Sequence, residues 1–116
     1  MLSAPAPRWS RWWFRSAAIY GTVALLASLA APDATSLPQL AFALTALAFQ
    51  LVFWFIGGDP VRYRPMMLAG VAEKLAFGVP AFILAGDSAT AFFGAIDLML
   101  GGGFLIAWFA TPSRAP

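Results

Sequence analysis

Glu73 and Lys74 stand side by side in one long apolar stretch of this 116-residue sequence, with Asp97 in the stretch after it and Gln50 in the stretch before. An ionisable group in hydrocarbon costs about 2.5–3.5 kcal/mol on insertion scales, so such groups turn inward, toward one another or toward a task. Two carboxyls and one ammonium offer two kinds of chemistry. One is an interhelical ion pair with hydrogen bonds that fixes the register of packed helices. The other is a binding or proton-handling site. Fully ionised, the set carries one excess negative charge in a medium that disfavours it, and its members are expected to titrate together. A third course open to Glu73 is to reach toward Arg62 or Arg64 and the surface. Other chemistry is excluded by residue type. The chain has no Cys, so disulfides, iron–sulfur clusters and thiol relays are out, and no His, so His-ligated haem and ordinary zinc sites are out. Gly101-Gly102-Gly103 lies inside an apolar run with no Lys-Ser/Thr after it, which points to close packing or a bend rather than a phosphate cradle. No nucleophile–base pair, metal site or cofactor fingerprint is present, so no enzymatic activity, cofactor or metal is expected.

The elements that position these residues follow from composition. Hydrophobic residues make up 61% of the chain and charged ones 10%, against about 25% charged in soluble domains. This is the composition of an integral membrane protein. A spanning helix needs about 20 apolar residues, and four segments approach that length: about Ser16–Ala31 (with an earlier start near Trp12 open to it), Pro38–Ile56, Met66–Ala85 and Ser88–Phe109. Pro65 suits a first helical turn, and Ser88 is placed to cap the last helix. Short connections make neighbours antiparallel, so the expected fold is all-α, a four-helix up-down transmembrane bundle forming a single domain over residues 1–116. No internal repeat is visible.

Depth and helical phase bring the polar residues together. At about 1.5 Å per residue, Gln50 lies roughly 10 Å from the end of its helix, Glu73 and Lys74 roughly 10–12 Å from Met66, and Asp97 roughly 17–20 Å from the same side. Glu73 and Lys74 share a broad arc with Met66, Gly70, Phe77, Gly78 and Pro80, opposite Leu68, Val71, Leu75, Val79 and Phe82. Asp97 shares its face with Thr90, Phe93, Gly94, Gly101, Phe104 and Trp108. Small residues beside each charge permit close helix approach, so a contact between helices three and four through Lys74 and Asp97 is expected, with Gly70 and Gly78 against a neighbouring helix. The hydroxyls of Tyr20, Ser28 and Thr45 either line an interior path or bond backbone carbonyls, and the second is the default expectation.

Arg8, Arg11 and Arg15 precede helix one, Arg62 and Arg64 separate helices two and three, and Arg114 follows helix four, whereas the other two connections hold Asp33 and Asp87 and no base. The positive-inside rule then places both termini in the cytoplasm. The stretch from Arg8 to Arg15, with Trp9, Trp12, Trp13 and Phe14 among its bases, has the make-up of a single-strand nucleic-acid platform. A membrane span follows it directly, so it is read as an interfacial belt on anionic lipid, with no nucleic-acid partner. Basic residues, an apolar run and Ser28-Leu29-Ala30 also fit a cleaved signal peptide, but three tryptophans crowd the basic part and the run is long enough to stay as a span.

Asp59-Pro60-Val61-Arg62-Tyr63-Arg64-Pro65, then Glu73-Lys74, then Asp97 with Gly101 four residues on, resemble an uncharacterised family of small bacterial four-helix integral membrane proteins with an RYRP…EK…D-x-x-x-G pattern. The resemblance covers roughly the second half of the chain. It implies the fold and a bacterial membrane and brings no activity. Small multidrug-resistance transporters are similar in size, but here the membrane glutamate is in helix three and the arginine bias opposes dual topology. The function expected is that of an accessory or structural membrane protein in contact with the lipid bilayer, and with a membrane-protein partner or further copies of itself. The alternative is a small transporter or proton-coupled binder built on Glu73, Lys74 and Asp97.

Overall fold

The computed structural model describes residues 5–31 and 36–113; Asp33 and Arg114 lie outside them. Four helices follow one another: α1 Arg8–Leu29, α2 Leu37–Gly58, α3 Arg64–Leu84 and α4 Ser88–Ala110. Prolines open α2 and α3, at positions where the missing N–H costs nothing. Gly57-Gly58-Asp59-Pro60 ends α2, and the Asp59 carboxylate closes the following turn by accepting from the Arg62 N–H at 3.3 Å. The cap of α4 is Asp87, which accepts from the Thr90 N–H at 3.3 Å. Ser88, expected in that role, is the first helical residue instead. Pro80 leaves the Ala76 carbonyl without its usual partner inside α3.

The helices form an all-α four-helix bundle of about 54 × 23 × 20 Å, and α2, α3 and α4 are long and apolar enough to cross a membrane. Helix α1 begins at Arg8, well before Ser16, so the Arg/Trp stretch forms its first two turns rather than a leading segment. Rings and guanidinia tolerate an interface, so the helix continues through it. Packing is closest between α1 and α2 and between α3 and α4; α2 with α3 and α1 with α4 touch more lightly. The bundle is thus two antiparallel hairpins side by side.

Large buried side chains gather in the half nearest the arginines. Phe14 of α1 stacks on Phe104 of α4, with centroids 4.2 Å apart, and Phe53 of α2 tilts against Phe104 at 4.9 Å. Met67 of α3 and Ile56 of α2 are fully buried with them. In the other half the buried residues are small: Ala43, Gly78, Ala81 and Gly94. Small residues let backbones meet where lipid offers no hydrophobic drive for association.

The inner face of α3 runs through Met67, Gly70, Lys74, Gly78 and Ala81. Met66, expected inside, is 43% exposed, as is Phe93 of α4 at 45%, and Pro80 is also exposed. Val71, expected on the lipid face, packs against the core. These differences are a small rotation. Lipid-facing and core-facing positions are both apolar here, so hydropathy marks the inner arc only loosely.

Candidate intramembrane ion cluster

Lys74 projects from the middle of α3 into the seam with α4. Its Nζ lies 3.5 Å from Asp97 Oδ1 on α4 and 3.8 Å from Glu73 Oε1 on its own helix. Both separations exceed the roughly 2.7–2.9 Å of a tight charge-assisted bond, so the ammonium is shared between two carboxylates rather than clamped by one. Lys74 is 2% exposed, and each carboxylate side chain 14%. The Phe53 ring of α2 covers the ammonium at 5.1 Å, within range of a cation–π attraction.

Missing side chains make this closeness possible. A Cβ on Gly101 would stand 2.9 Å from Lys74 Cβ, one on Gly78 3.0 Å from Leu98, and one on Gly94 2.8 Å from the Phe82 backbone nitrogen. Gly70 faces Phe53 and Phe104 at 3.0 and 3.2 Å in the same sense. Both Gly70 and Gly78 therefore lie against neighbouring helices. The chemistry open to the cluster is that of a buried, cross-helix charge pair with one extra carboxylate.

Gln50 takes a different place. Its amide turns toward α1, donating from Nε2 to the Ala46 carbonyl at 2.8 Å, and Oε1 is buried without a donor among the described residues. A side chain at Gly21 would overlap this amide. Among the hydroxyls, Ser28 bonds Leu25 O and Thr22 bonds Ala18 O, each at 2.7 Å.

The arginines do work that sequence reasoning missed. Arg11 donates to Gly58 O and Arg15 to Trp54 O, both at 2.9 Å, so α1 donates to carbonyls at the end of α2. Arg64 donates to Trp108 O at 3.1 Å and Thr111 O at 2.8 Å, doing the same for α4. Helix C-termini leave their last carbonyls unpaired and carry a partial negative charge; Arg11 and Arg64 answer both needs, and Arg15 brings its charge to the same end of α2. Arg15 also stacks 3.8 Å over Trp54, and Arg64 4.2 Å over Trp108. Trp13 reaches across from α1 to donate to Leu100 O at 3.0 Å, its indole seated against Gly103. The repeated Arg and Trp types at helix ends are the only sequence signal for these contacts.

The two hairpins correspond, which a scan for fixed periods does not register. Arg15 and Gly21 of α1 match Arg64 and Gly70 of α3, and the run from Gln50 to Phe55 in α2 matches that from Phe104 to Phe109 in α4. In each hairpin the arginine stacks on the tryptophan, and the glycine faces the residue four before it, Gln50 or Phe104. The positions of Glu73, Lys74 and Asp97 are filled in the first hairpin by Ala24, Leu25 and Ala43. The intramembrane charges belong to the second hairpin alone.

Fold and composition together define a small, multi-pass helical membrane protein. Compared with protein-family models, curated proteins and solved structures, the chain matches none.

Proposed function

We propose that the protein is an accessory or structural component of a bacterial inner membrane, with both termini cytoplasmic, acting through contact with a membrane-protein partner or further copies of itself. The observation that carries this reading is the enclosure of Lys74: an ammonium flanked by two carboxylates, roofed by Phe53 and pressed against Gly101 is built as a fixed tie between α3 and α4. The described arginines suit the same purpose, since Arg11, Arg15 and Arg64 fasten helix ends. Their clustering at one end of the bundle also supports the proposed orientation, as the RYRP…EK…D-x-x-x-G pattern supports membership of the bacterial family it resembles. Recovery of a stoichiometric partner, or of a defined homo-oligomer, from mild detergent is the expected result; a monomer without companions in its own membrane would count against the role. Reporter fusions at Asp87 should read periplasmic and those at Arg62 cytoplasmic, and the reverse would sink the orientation.

A second reading, a proton-coupled or cation-coupled binder, is favoured by one observation: two carboxylates share a single ammonium, and one proton or cation would neutralise the set. Its test is whether E73Q and D97N leave a folded protein that has lost proton uptake in liposomes. Variants that fail to fold would favour the structural role.

A further inference from the structure

The seam between α1 and α2 carries a furrow whose two parts differ in chemistry. Nearest the arginine-bearing end is a shallow groove of about 400 Å³ lined by Arg8, Arg11, Trp12, Arg15, Gly57 and Gly58. Next along the seam is a groove of about 490 Å³ walled by Ile19, Val23, Leu47, Leu51 and Trp54. The α1 residues of both grooves follow one another at helical spacing from 8 through 11, 12 and 15 to 18, 19, 22 and 23. Those of α2 run the opposite way from 58 to 47. The two grooves therefore share one face of the hairpin, about 22 Å long at 1.5 Å per residue, cationic at one end and apolar along the rest.

The cationic part has unspent binding capacity. Among the described residues, the carboxylates within 4.0 Å of a basic group are those on Lys74, so none pairs with Arg8, Arg11 or Arg15. Arg11 and Arg15 each give one N–H to an α2 carbonyl, and Arg8 makes no hydrogen bond among the described residues. Most of their N–H donors remain free, in a fork geometry that matches phosphate oxygens. Gly57 and Gly58 let the Arg15 side chain lie close against α2, since a Cβ at either would stand 2.7 Å from it.

We propose that this furrow binds one anionic phospholipid, its phosphate among the Arg8, Arg11 and Arg15 guanidinia and one acyl chain laid along Ile19, Leu47 and Leu51. A cationic head leading into an apolar channel of this length is complementary to an amphiphile with one acidic end. Basic pockets between helices at the membrane surface recognise acidic headgroups in this way. The furrow differs from a general belt in that three guanidinia share one face of the hairpin with the apolar side chains that continue along it. Arg62, at the same end of the bundle, lines neither groove.

The test is native mass spectrometry of the full-length protein in mild detergent, loaded with equal amounts of phosphatidylglycerol and phosphatidylcholine. One phosphatidylglycerol should be retained in preference. In R8Q/R11Q that preference should fall by about thirtyfold, the scale expected for two basic groups lost from beside an anionic headgroup. L51W, which fills the apolar part, should lower retention as well, and R62Q should leave it unchanged. If R8Q/R11Q does not fold, R8Q alone carries the test, because the Arg8 side chain makes no hydrogen bond or ion pair among the described residues. Equal loss in R62Q would reduce the effect to perimeter charge and overturn the proposal. So would absence of preference, or displacement of the lipid by inorganic phosphate at equal concentration, which would mark an ion site with no use for the chain.

Discussion

Lys74 and Asp97 make the residue-scale case that a charge inside this bundle is tolerable only in company. Removing one partner of a buried pair strands the other and costs about 3–5 kcal/mol, whereas removing both can be nearly neutral. K74M strands two carboxylates and should lower the melting temperature in detergent more than K74M/D97L, which strands Glu73 alone, and more than D97L, which leaves Lys74 beside Glu73. Additive, harmless single changes would show that the two residues are not coupled. The glycines of α4 supply a second contrast. Gly103 has the Trp13 indole against it, while Gly102 has nothing within 4 Å of where a Cβ would stand. G103A should therefore cost about 1–3 kcal/mol through overpacking and alter tryptophan fluorescence as the bond to Leu100 O is disturbed. G102A should be neutral or stabilising by up to about 1 kcal/mol, because a helical glycine is replaced with no clash. Equal melting temperatures for the two variants would contradict the packing described.

Among the elements, the C-termini of α2 and α4 depend on side chains from other helices. R64Q removes donors to both Trp108 O and Thr111 O and the stacking on Trp108. Its expected effect is a loss of about 1–2 kcal/mol, with faster amide exchange confined to the last turn of α4. R64K should rescue only in part, since an ammonium lacks the planar fork; full rescue would mean that charge alone matters. These ties were illegible beforehand because Arg64 meets Trp108 and Thr111 across 44 and 47 positions, and no local pattern encodes that pairing. Helix number was legible because apolar length and Pro/Gly interruption are local properties. The Lys74–Asp97 approach was legible because depth, phase and neighbouring glycines all constrain a charge in hydrocarbon. Which of Met66 and Met67 faces inward was not, since both are equally at home in lipid and in a core. Gln50 was grouped with the charges on depth alone, and depth does not say which neighbour a side chain turns to.

On the scale of the whole molecule, the bundle is two hairpins of related plan, each with an arginine stacked on a tryptophan and a glycine set against the partner helix. The Asp59–Tyr63 turn is their covalent link, and Phe14–Phe104, Trp13–Leu100 O and Phe53–Lys74 hold them without it, so chains divided there and co-expressed should reassemble into a folded protein, seen as co-purification of the halves. Failure of both halves to insert would show that the hairpins are not separable units. Their differences also suggest an order of biogenesis. The first hairpin has Ala24, Leu25 and Ala43 where the second has Glu73, Lys74 and Asp97. It can thus enter the bilayer without burying a charge, and by the time translation delivers the second hairpin, the Phe53 ring that covers Lys74 is already in place. The second half made alone, with Lys74 lacking the Phe53 ring, should therefore be the one handed to proteolysis.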